Sequence, residues 1–351
     1  MKNKIFTLLL AFFTLLCCSY SPQNVVAQTS CSEIIMEINS NRVLHAYNEH
    51  DKKFMASTTK ILTAITIIEN CALQDIITVT DKTVGVEGSS IYLEAGEKLS
   101  VEDLLYGLML RSGNDCAETL ALHCSGSVEN FAKLMNDTAK KIGAKNSNFV
   151  NPHGLHNDNH YTTAYDLALI SCYAMKNETF RKIVSTQSIT IPFSTRNYNR
   201  RLTNKNKMLK EFDGSTGIKT GYTKRAGRCL VSSCKRNGLE LICVVLNCPP
   251  MFERSKALLS KAFSEYNLYK LVESDNIIGF VKVENSDKNV PLCIKNDIIL
   301  PLTINEFKSI QVVYDYPKII SNNLEKNIEI GKVKIYCENN LIFQEKIYTI
   351  V

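Results

Sequence analysis

The sequence has no tryptophan, and it is poor in glycine and proline, with 15 and 8 among 351 residues. This composition excludes collagen-like and disordered chains. Neither charge sign dominates, since 41 basic and 35 acidic residues give a formal net charge of +6, too small to indicate nucleic-acid binding. After residue 27 no apolar run approaches the roughly 18 to 20 residues of a membrane span. What remains is a globular chain, 45% hydrophobic, whose length predicts two domains.

The first 27 residues are typical of a secretory signal peptide. Two lysines lie among the first four residues, an apolar run follows at residues 5–16, and a Val-Val-Ala stretch precedes a predicted cleavage site after Ala27. We therefore expect an exported, extracytoplasmic protein that is secreted or associated with the cell envelope. Two alternatives stay open, namely lipid attachment at Cys17 or Cys18 and an uncleaved N-terminal segment that tethers the protein to the membrane.

The cysteines favour free thiols over a disulfide framework. Of the 13 cysteines, 11 follow residue 27, and an odd number cannot all pair within one chain. No two are spaced as Cys-x-x-Cys, and Cys116, Cys124, Cys172 and Cys243 fall in apolar patterns where a small hydrophobe fits. We predict mainly buried free thiols. The alternative, a disulfide framework, is more typical of smaller and more loop-rich chains.

Strand and helix patterns divide the chain into a mixed unit and a strand-rich tail. One antiparallel hairpin is predicted at residues 33–47 and another at residues 230–246, around an Asn-Gly pair. Helical periodicity dominates between them and returns at residues 252–266. This order predicts one antiparallel sheet covered by helices, in which the first hairpin pairs with the later strands. We place an α+β catalytic unit at residues 28–267 and an all-β domain at residues 268–351.

Several helix ends are marked by capping residues. Ser100, followed three residues later by Asp103, resembles a capping box with Asp in place of the usual Glu. A helix is predicted at residues 127–142 because its apolar periodicity starts after a serine and stops at Gly143. Thr163 is predicted to begin another helix.

A serine and a lysine three residues apart form the first candidate for chemistry. A helix that begins at Ser57 places Ser57 and Lys60 on one face, about one turn apart. A lysine amine can activate a serine hydroxyl if burial or a nearby cation lowers its pKa. The pattern alone is weak, because about one or two Ser-x-x-Lys matches arise by chance in such a chain, and a helix N-cap explains it equally well. A second match, Ser232 with Lys235, lies in a strand pattern that points the two side chains to opposite faces.

Two further motifs strengthen the first match, because they follow it in order along the chain. Ser112-Gly113-Asn114 lies just after a predicted helix. Ser112 can pass a proton between the lysine and a leaving amine, and the Asn114 amide can hold both the substrate backbone and the lysine.

Lys219-Thr220-Gly221, the third motif, enters a predicted strand. Lys219 adds a positive charge that lowers the pKa of Lys60 by repulsion and attracts a substrate carboxylate, to which Thr220 is a further donor. Gly221 permits a substrate strand to approach the backbone closely.

In these motifs the sequence resembles the low-molecular-mass penicillin-binding proteins that act as D-alanyl-D-alanine carboxypeptidases. The resemblance implies an α+β, penicillin-binding/β-lactamase-like catalytic domain followed by a small β-rich domain. It also implies hydrolysis of the D-Ala-D-Ala bond of peptidoglycan stem peptides without a metal or cofactor, and covalent inhibition by β-lactam antibiotics. The stretches that carry the resemblance are Ala56-Ser57-Thr58-Thr59-Lys60, Arg111-Ser112-Gly113-Asn114-Asp115, Asn151-Pro152-His153-Gly154-Leu155, residues 161–169 and residues 217–223.

The resemblance also assigns roles to individual residues. It makes Ser57 the acylated nucleophile and Lys60 the general base, with the backbone N–H groups of Ser57 and Tyr222 as the oxyanion hole. The implied catalytic residues are Ser57, Lys60, Ser112 and Asn114, and the implied substrate-binding residues are Lys219, Thr220, Gly221 and Tyr222.

The sequence departs from its relatives at two places. Many relatives have an arginine before the last helix of the catalytic unit that reads the substrate carboxylate, whereas here Met251 takes its place. Arg254, or Lys219 with Thr220, are the candidates to replace it. Many relatives also end in an amphipathic helix on the membrane, whereas residues 347–351 have a strand pattern.

Other activities would use the same residues. A β-lactamase is disfavoured because Gly113 replaces the Asp of the class A pattern, and no Glu-x-x-Leu-Asn segment lies between residues 115 and 218. A D,D-endopeptidase or transpeptidase stays open, as does a β-lactam-binding or wall-binding protein that does not turn over. The tail at residues 268–351 carries no ligand signal, so we interpret it as a spacer or docking domain.

Three histidines crowd one loop. His153, His156 and His160 lie close to Asp158 in the sequence, which suggests a metal site. Their spacing matches no known ligand pattern, and a lysine base needs no metal. We interpret the loop as a polar cover over the catalytic residues.

Overall fold

The computed structural model describes residues 30–274, 276–321 and 327–350 of the chain. The predicted signal peptide, residues 1–27, lies outside these residues. The strands before residue 250 are β1 (Ser32–Glu37), β2 (Val43–Tyr47), β3 (Ile76–Thr78), β4 (Lys98–Ser100), β5 (Ser188–Ile191), β6 (Arg200–Thr203), β7 (Ser215–Thr223), β8 (Gly227–Arg236) and β9 (Leu239–Leu246). The described α-helices before residue 266 are α1 (Lys60–Asn70), α2 (Val101–Leu110), α3 (Asn114–Ser125), α4 (Val128–Ile142), α5 (Ala164–Met175), α6 (Glu178–Ser185), α7 (Met208–Glu211) and α8 (Met251–Glu265).

Five of these strands form the central antiparallel sheet, in the order β2-β1-β9-β8-β7. β1 pairs with β2 on one side and with β9 on the other. The predicted pairing of the first hairpin with the later strands is therefore confirmed. All eight residues of β9 are buried because both faces of the sheet are covered, and this explains the nearly unbroken hydrophobic run of its sequence.

The two faces of the sheet carry separate hydrophobic cores. The larger core, on what we call the front face, includes Ile34 of β1 and Leu62 of α1. The smaller core, on the back face, includes Ile35 of β1 and Leu259 of α8. Ile34 and Ile35 point to opposite faces because successive side chains alternate along a strand. α1, which follows the candidate nucleophile, therefore lies on the front face.

The predicted helix ends are confirmed. Ser100 and Asp103 form a reciprocal capping box at the start of α2. The side chain of Ser127 caps α4, which ends at Gly143, and the side chain of Thr163 caps α5. In the described part of the chain, no helix is both long enough and apolar enough to span a membrane.

The predicted hairpin of β8 and β9 is also formed. Arg236 pairs with Leu239, so only Asn237 and Gly238 lie in the turn. Both have positive φ, at 49° and 83°. These angles match a type I′ turn, whose twist agrees with that of the flanking strands.

The tail forms a second, strand-rich unit with its own core. Its described elements are β10 (Asn267–Val272), β11 (Gly279–Val283), β12 (Asn289–Cys293), β13 (Ile298–Leu302), α9 (Ile304–Ser309), β14 (Ile310–Asp315), β15 (Ile319–Ile320), β16 (Glu329–Cys337) and β17 (Asn340–Thr349). A six-stranded sheet has the order β14-β16-β17-β12-β11-β15, and β10 pairs with β13 apart from it. The helix α9 interrupts the strands and was missed by the sequence analysis.

Contacts at the tip of the first hairpin join the two units. The Arg42 guanidinium donates to the backbone oxygen of Pro301 and forms an ion pair with Glu306. Within the catalytic unit, the Tyr266 hydroxyl donates to the backbone oxygen of Leu44 over 3.3 Å and so holds the segment that leads into the tail against β2. The β-rich unit is thus attached to the loop between β1 and β2, at the edge of the central sheet.

One disulfide was not foreseen. Cys31 and Cys248, 217 residues apart in sequence, are joined. They meet because Ser32 pairs with Leu246, so the start of β1 lies beside the end of β9. The other cysteines of the described residues are free, and Cys116, Cys172 and Cys243 are buried as predicted, whereas Cys124 is only partly buried.

Candidate active site

Ser57 lies immediately before α1, on a short 3-10 turn formed by Ala56–Thr59. Ala56 has a φ of 48°, so the chain enters this turn in the left-handed region that L-residues rarely adopt. Ser57 is partly exposed, whereas Lys60 is completely buried. Lys60 Nζ lies 3.3 Å from Ser57 Oγ. The structure therefore brings the two side chains within hydrogen-bonding reach, with the hydroxyl on the accessible side.

Lys60 Nζ has two further partners, and both are carbonyl oxygens. It donates to Asn114 Oδ1 over 2.6 Å and to the backbone oxygen of His153 over 2.7 Å. A neutral amine has two N–H groups and one lone pair, and a carbonyl oxygen can only accept. The two carbonyls therefore use both N–H groups of the neutral amine and leave its lone pair for Ser57 Oγ. That is the arrangement a general base needs.

The surroundings of Lys60 favour this neutral form. Burial lowers the pKa of Lys60 well below its usual value, and the positive charge of Lys219 lowers it further, while Cys116 and Asp115 oppose the shift. Burial and the charge of Lys205 also lower the pKa of Lys219, to about 7. A buried amine beside another cation is thus available as a base near neutral pH.

Strand β7 places Lys219, Thr220 and Gly221 beside the nucleophile turn. Lys219 is buried, and its Nζ donates to the backbone oxygen of Thr220 over 2.9 Å. A Cβ on Gly221 would lie 3.0 Å from Met55 O and 3.1 Å from Ser57 N. The close approach at Gly221 is therefore made with the chain's own nucleophile turn, a role that the sequence analysis had given to a substrate strand.

Tyr222, the next residue of β7, presents its side chain to solvent. The side chain is on the surface, with 55% of the residue exposed, and the guanidinium of Arg228 on β8 lies 4.5 Å from its ring centroid. This cation–π contact fixes the ring at the rim of the strand. The backbone N–H that the resemblance assigns to the oxyanion hole belongs to the same residue.

The turn between α2 and α3 carries Ser112 and Asn114. Ser112 is buried and has a φ of 65°; within the described residues its hydroxyl has no hydrogen-bond partner. Asn114, the first residue of α3, directs Oδ1 to Lys60. Its Nδ2, which we expected to face a substrate, donates to the backbone oxygen of Glu87 over 2.5 Å.

Asp115 anchors a loop beside the candidate site, and the sequence analysis did not identify this role. Its buried carboxylate accepts hydrogen bonds from Ser90 Oγ over 2.5 Å and from the backbone N–H groups of Ile91 and Leu93, both over 3.1 Å. The same loop supplies the Glu87 oxygen that holds Asn114. Asp115 thus couples residues 87–93 to the start of α3.

Lys205 is a third lysine of the site that sequence reasoning missed. Its Nζ lies 3.2 Å from Ser89 Oγ, and its positive charge lowers the pKa of both Lys60 and Lys219. Lys205 is exposed, so its amine is accessible from solvent. Lys205 in the polar segment 204–207 gives no sequence signal, because its effect depends on where the chain between β6 and α7 places it.

The three histidines of residues 153–160 have separate partners. His153 Nε2 lies 3.3 Å from Glu118, His156 Nε2 lies 3.3 Å from Asp158, and His160 Nε2 lies 2.8 Å from Thr59 Oγ1. Burial lowers the pKa of His160 to about 3, so it is neutral. The His153 ring thus holds the loop to α3, the His156 ring contacts its own loop, and the His160 ring holds the loop to the nucleophile turn.

Met251 and Arg254 both lie on α8, which packs on the back face of the sheet. Met251 belongs to the back-face core. Arg254 makes a two-point ion pair with the buried Glu33, at 2.6 and 2.7 Å. Arg254 is therefore committed to Glu33, and of the two replacements considered for the missing arginine, Lys219 with Thr220 is the one located at the nucleophile turn.

The chain is similar to known proteins in both sequence and fold. Residues 19–249 match the family described as D-alanyl-D-alanine carboxypeptidase, and residues 266–350 match the penicillin-binding protein 5, C-terminal domain. The D-alanyl-D-alanine carboxypeptidase DacF of Bacillus subtilis is 30% identical over 92% of this chain and 85% of its own length. DacA of Haemophilus influenzae is 32% identical over 89% of this chain and 81% of its own length. The crystal structure of penicillin binding protein 5 from Haemophilus influenzae aligns with a TM-score of 0.80 at 30% identity, covering 91% of this chain and 96% of that chain.

Proposed function

This chain belongs to the D-alanyl-D-alanine carboxypeptidase family, and from that membership and the site geometry we propose that Ser57 is the nucleophile of its reaction. The reaction is hydrolysis of the terminal D-Ala-D-Ala bond of peptidoglycan stem peptides. The enzyme class, the family resemblance and the fold class expected from the motifs are confirmed. The observation that carries the assignment is the 3.3 Å contact from Lys60 Nζ to Ser57 Oγ, with both remaining Nζ contacts made to carbonyl oxygens.

In the proposed acylation step, Ser57 Oγ attacks the carbonyl carbon of the scissile bond while its proton passes to Lys60 Nζ. The oxygen of the substrate carbonyl gains negative charge, which the backbone N–H groups of Ser57 and Tyr222 stabilise. The C–N bond then breaks, and the proton travels from Lys60 through Ser112 to the leaving nitrogen of D-alanine. The product is an ester between Ser57 and the shortened stem peptide.

In the proposed deacylation step, a water molecule attacks the ester after D-alanine has left. Lys60 is neutral again because it has released the first proton, and it takes a proton from this water as the water oxygen attacks the ester carbon. The bond to Ser57 Oγ breaks and the serine is reprotonated. β-Lactams acylate the same serine, and slow hydrolysis of that ester is the basis of the expected covalent inhibition.

Recognition of the substrate is proposed to depend on positive charge and on the edge of β7. Lys219 and Thr220 bind the terminal carboxylate in place of the arginine that Met251 replaces, and exposed Lys205 adds a cation at the mouth of the site. The backbone of Gly221 and Tyr222 pairs with the extended stem peptide. The support is that Lys219 and Lys205 both lower the pKa of Lys60, the lysine that contacts Ser57, and that Lys205 also lowers the pKa of Lys219.

We also propose the location and organisation of the protein. Residues 1–27 act as a signal peptide, so the enzyme is exported and works outside the cytoplasm, where stem peptides are accessible. Residues 28–267 form the catalytic unit and residues 268–351 form a spacer or docking domain. The support is the N-terminal sequence pattern and the separate core of the β-rich unit.

The test is release of D-alanine from an acyl-Lys-D-Ala-D-Ala peptide by the purified chain that starts at Gln28. We expect steady turnover in the wild type, and loss by at least about a hundredfold in Ser57→Ala and Lys60→Ala, because each removes one member of the nucleophile and base pair. Labelling with a fluorescent penicillin runs in parallel. Stoichiometric labelling of Ser57 without peptide turnover would contradict the carboxypeptidase assignment and favour an acceptor-dependent or sensing role.

A further inference from the structure

The side chain of His153 is held at both ring nitrogens. Nδ1 accepts from the backbone N–H of Leu155 over 3.1 Å, and Nε2 lies 3.3 Å from Glu118 Oε1. A neutral imidazole has one donor nitrogen and one acceptor nitrogen. Because Nδ1 accepts, the proton is on Nε2 and faces the Glu118 carboxylate. The ring is buried, with only 7% of the side chain exposed, so its orientation is fixed by these two contacts.

Glu118 lies on the helix that also supplies Asn114. Both residues are on α3, four positions apart, and therefore on one face of the helix. Asn114 gives Lys60 one carbonyl acceptor directly, over 2.6 Å. Through Glu118, the same helix holds the side chain of His153. The backbone oxygen of His153 is the second acceptor of Lys60 Nζ, over 2.7 Å. One helix face thus reaches both carbonyls that contact Lys60.

Both carbonyls are needed to direct the lysine lone pair. If the His153 oxygen moved away, one N–H group of the neutral amine would be free to turn toward Ser57 Oγ, and the lone pair would point elsewhere. The peptide group of this carbonyl is also held from its other side, because the Gly154 N–H donates to Asn151 Oδ1 over 2.7 Å. The His153 ring is therefore a second support of its own carbonyl, and the one that connects it to α3.

We propose that Glu118 and His153 form a positioning pair for Lys60, which directs the lone pair of the base to Ser57. The inference rests on the proposed role of Ser57 and Lys60. Neither side chain contacts Ser57, and both act through the His153 carbonyl. The pair His156 and Asp158 on the same loop has the same 3.3 Å contact distance but lies at an exposed site, so it provides a matched control.

The experiment measures acylation by a fluorescent penicillin, separating the maximal acylation rate from the half-saturating concentration. Glu118→Ala removes the acceptor of His153, whereas Glu118→Gln keeps an acceptor oxygen at the same place. We expect Glu118→Ala to lower the maximal rate about tenfold, because a misdirected base slows proton transfer without changing binding. Glu118→Gln should recover most of that rate, and Asp158→Asn should match the wild type.

A second variant tests the same contact from the other side, so that the result does not depend on correct folding of Glu118→Ala alone. His153→Asn keeps an acceptor near the Nδ1 position but is too short to reach Glu118. Its maximal acylation rate should therefore fall by the same factor. The double variant should lose no more than either single variant, because both remove one interaction.

The outcomes separate this inference from the proposed function. A maximal rate in Glu118→Ala equal to that of the wild type, an equal loss in Asp158→Asn, or a loss confined to the half-saturating concentration would each overturn the positioning role. Persistent labelling of Ser57→Ala would instead overturn the assignment of the nucleophile. Loss of labelling in Ser57→Ala with a normal Glu118→Ala would leave the function standing and remove only the positioning pair.

Discussion

At the scale of single residues, the site contains a buried lysine, Lys60, whose pKa is lowered by two other lysines. Among the described residues, Lys60 has no carboxylate partner, which is unusual for a fully buried lysine. Its contacts with two carbonyls and a hydroxyl are compatible with a neutral amine, whose two N–H groups bind the carbonyls while its lone pair faces the hydroxyl. The charges of Lys219 and Lys205 act in the same direction. The base is therefore prepared by the electrostatics of its neighbours as well as by burial.

Removing the charge of Lys219 should shift the pH dependence of the penicillin acylation rate to higher pH on its acid side. Below the pKa of Lys60 the amine is protonated and cannot accept the serine proton, so acylation falls as pH falls. Lys219 lowers that pKa, and Lys219→Met should therefore raise it and move the acid limb of penicillin acylation to higher pH. Lys205→Met should shift it in the same direction by less, because Lys205 is the weaker contribution. An unmoved or lowered midpoint in Lys219→Met would contradict this electrostatic account.

The catalytic side chains were predictable from sequence, but their supports were not. The order of three short motifs indicated Ser57, Lys60 and Lys219, because the chemistry requires those residue types near one another. Lys205 and Glu118 carry no such pattern. Their effect depends on which loop or helix face lies within a few ångströms of Lys60, and that is determined by tertiary packing.

At the scale of elements, the site depends on how closely β7 approaches the nucleophile turn. The turn Ala56–Thr59 and strand β7 meet without a side chain between them, because residue 221 is glycine. This contact sets the distance between the Ser57 backbone and the strand that is proposed to bind substrate. It therefore links the position of the nucleophile to that of the central sheet.

Gly221→Ala should slow acylation more than it reduces stability. The added Cβ would lie 3.0 Å from Met55 O, so the strand or the turn must shift by a few tenths of an ångström. We expect a fall in acylation rate of about ten- to a hundredfold, because small misplacements of reacting groups are costly, with a nearly unchanged urea midpoint. Ser215→Ala, at the other end of β7, is the control, since its buried hydroxyl has no partner among the described residues. Equal acylation by Gly221→Ala and wild type would show that the close approach is not required.

Local sequence signals predicted the elements whose ends are marked by capping or turn residues. The Ser100 capping box and the Asn237-Gly238 turn were readable because each is completed within four residues. α9 was missed even though Thr303 and Glu306 form a capping box, because six residues are too few to show helical periodicity. The sequence therefore predicted a strand-rich tail correctly, but it did not predict the one helix described there, α9.

At the scale of the whole molecule, two long-range connections hold the structure together. The Cys31–Cys248 disulfide joins the start of β1 to the segment after β9. The contacts of Arg42 with Pro301 and Glu306 join the central sheet to the β-rich unit. The sequence analysis missed the disulfide because the number and spacing of the cysteines do not indicate which two are joined. The register of β1 on β9, which brings Cys31 and Cys248 together, is known only from the structure.

Removal of the disulfide should lower stability and leave chemistry intact. The bond closes a segment of 217 residues, and a long closed loop restricts the unfolded chain strongly. We expect the double variant Cys31→Ser/Cys248→Ser to lose about 2 to 5 kcal/mol of unfolding free energy, measured in urea, with normal penicillin acylation. A dithiol reductant should destabilise the wild type to the same level and have no effect on the double variant. Reductant sensitivity that persists in the double variant would point to another thiol.

The pairing of β1 with β9 also has a consequence for the order of events during synthesis. β1 leaves the ribosome first, but the strand that covers its other edge is completed only at Leu246. Until then the β1–β2 and β7–β8 hairpins cannot join, because β9 is the strand that pairs with both β1 and β8. The central sheet therefore cannot be completed before about two thirds of the polypeptide has been made.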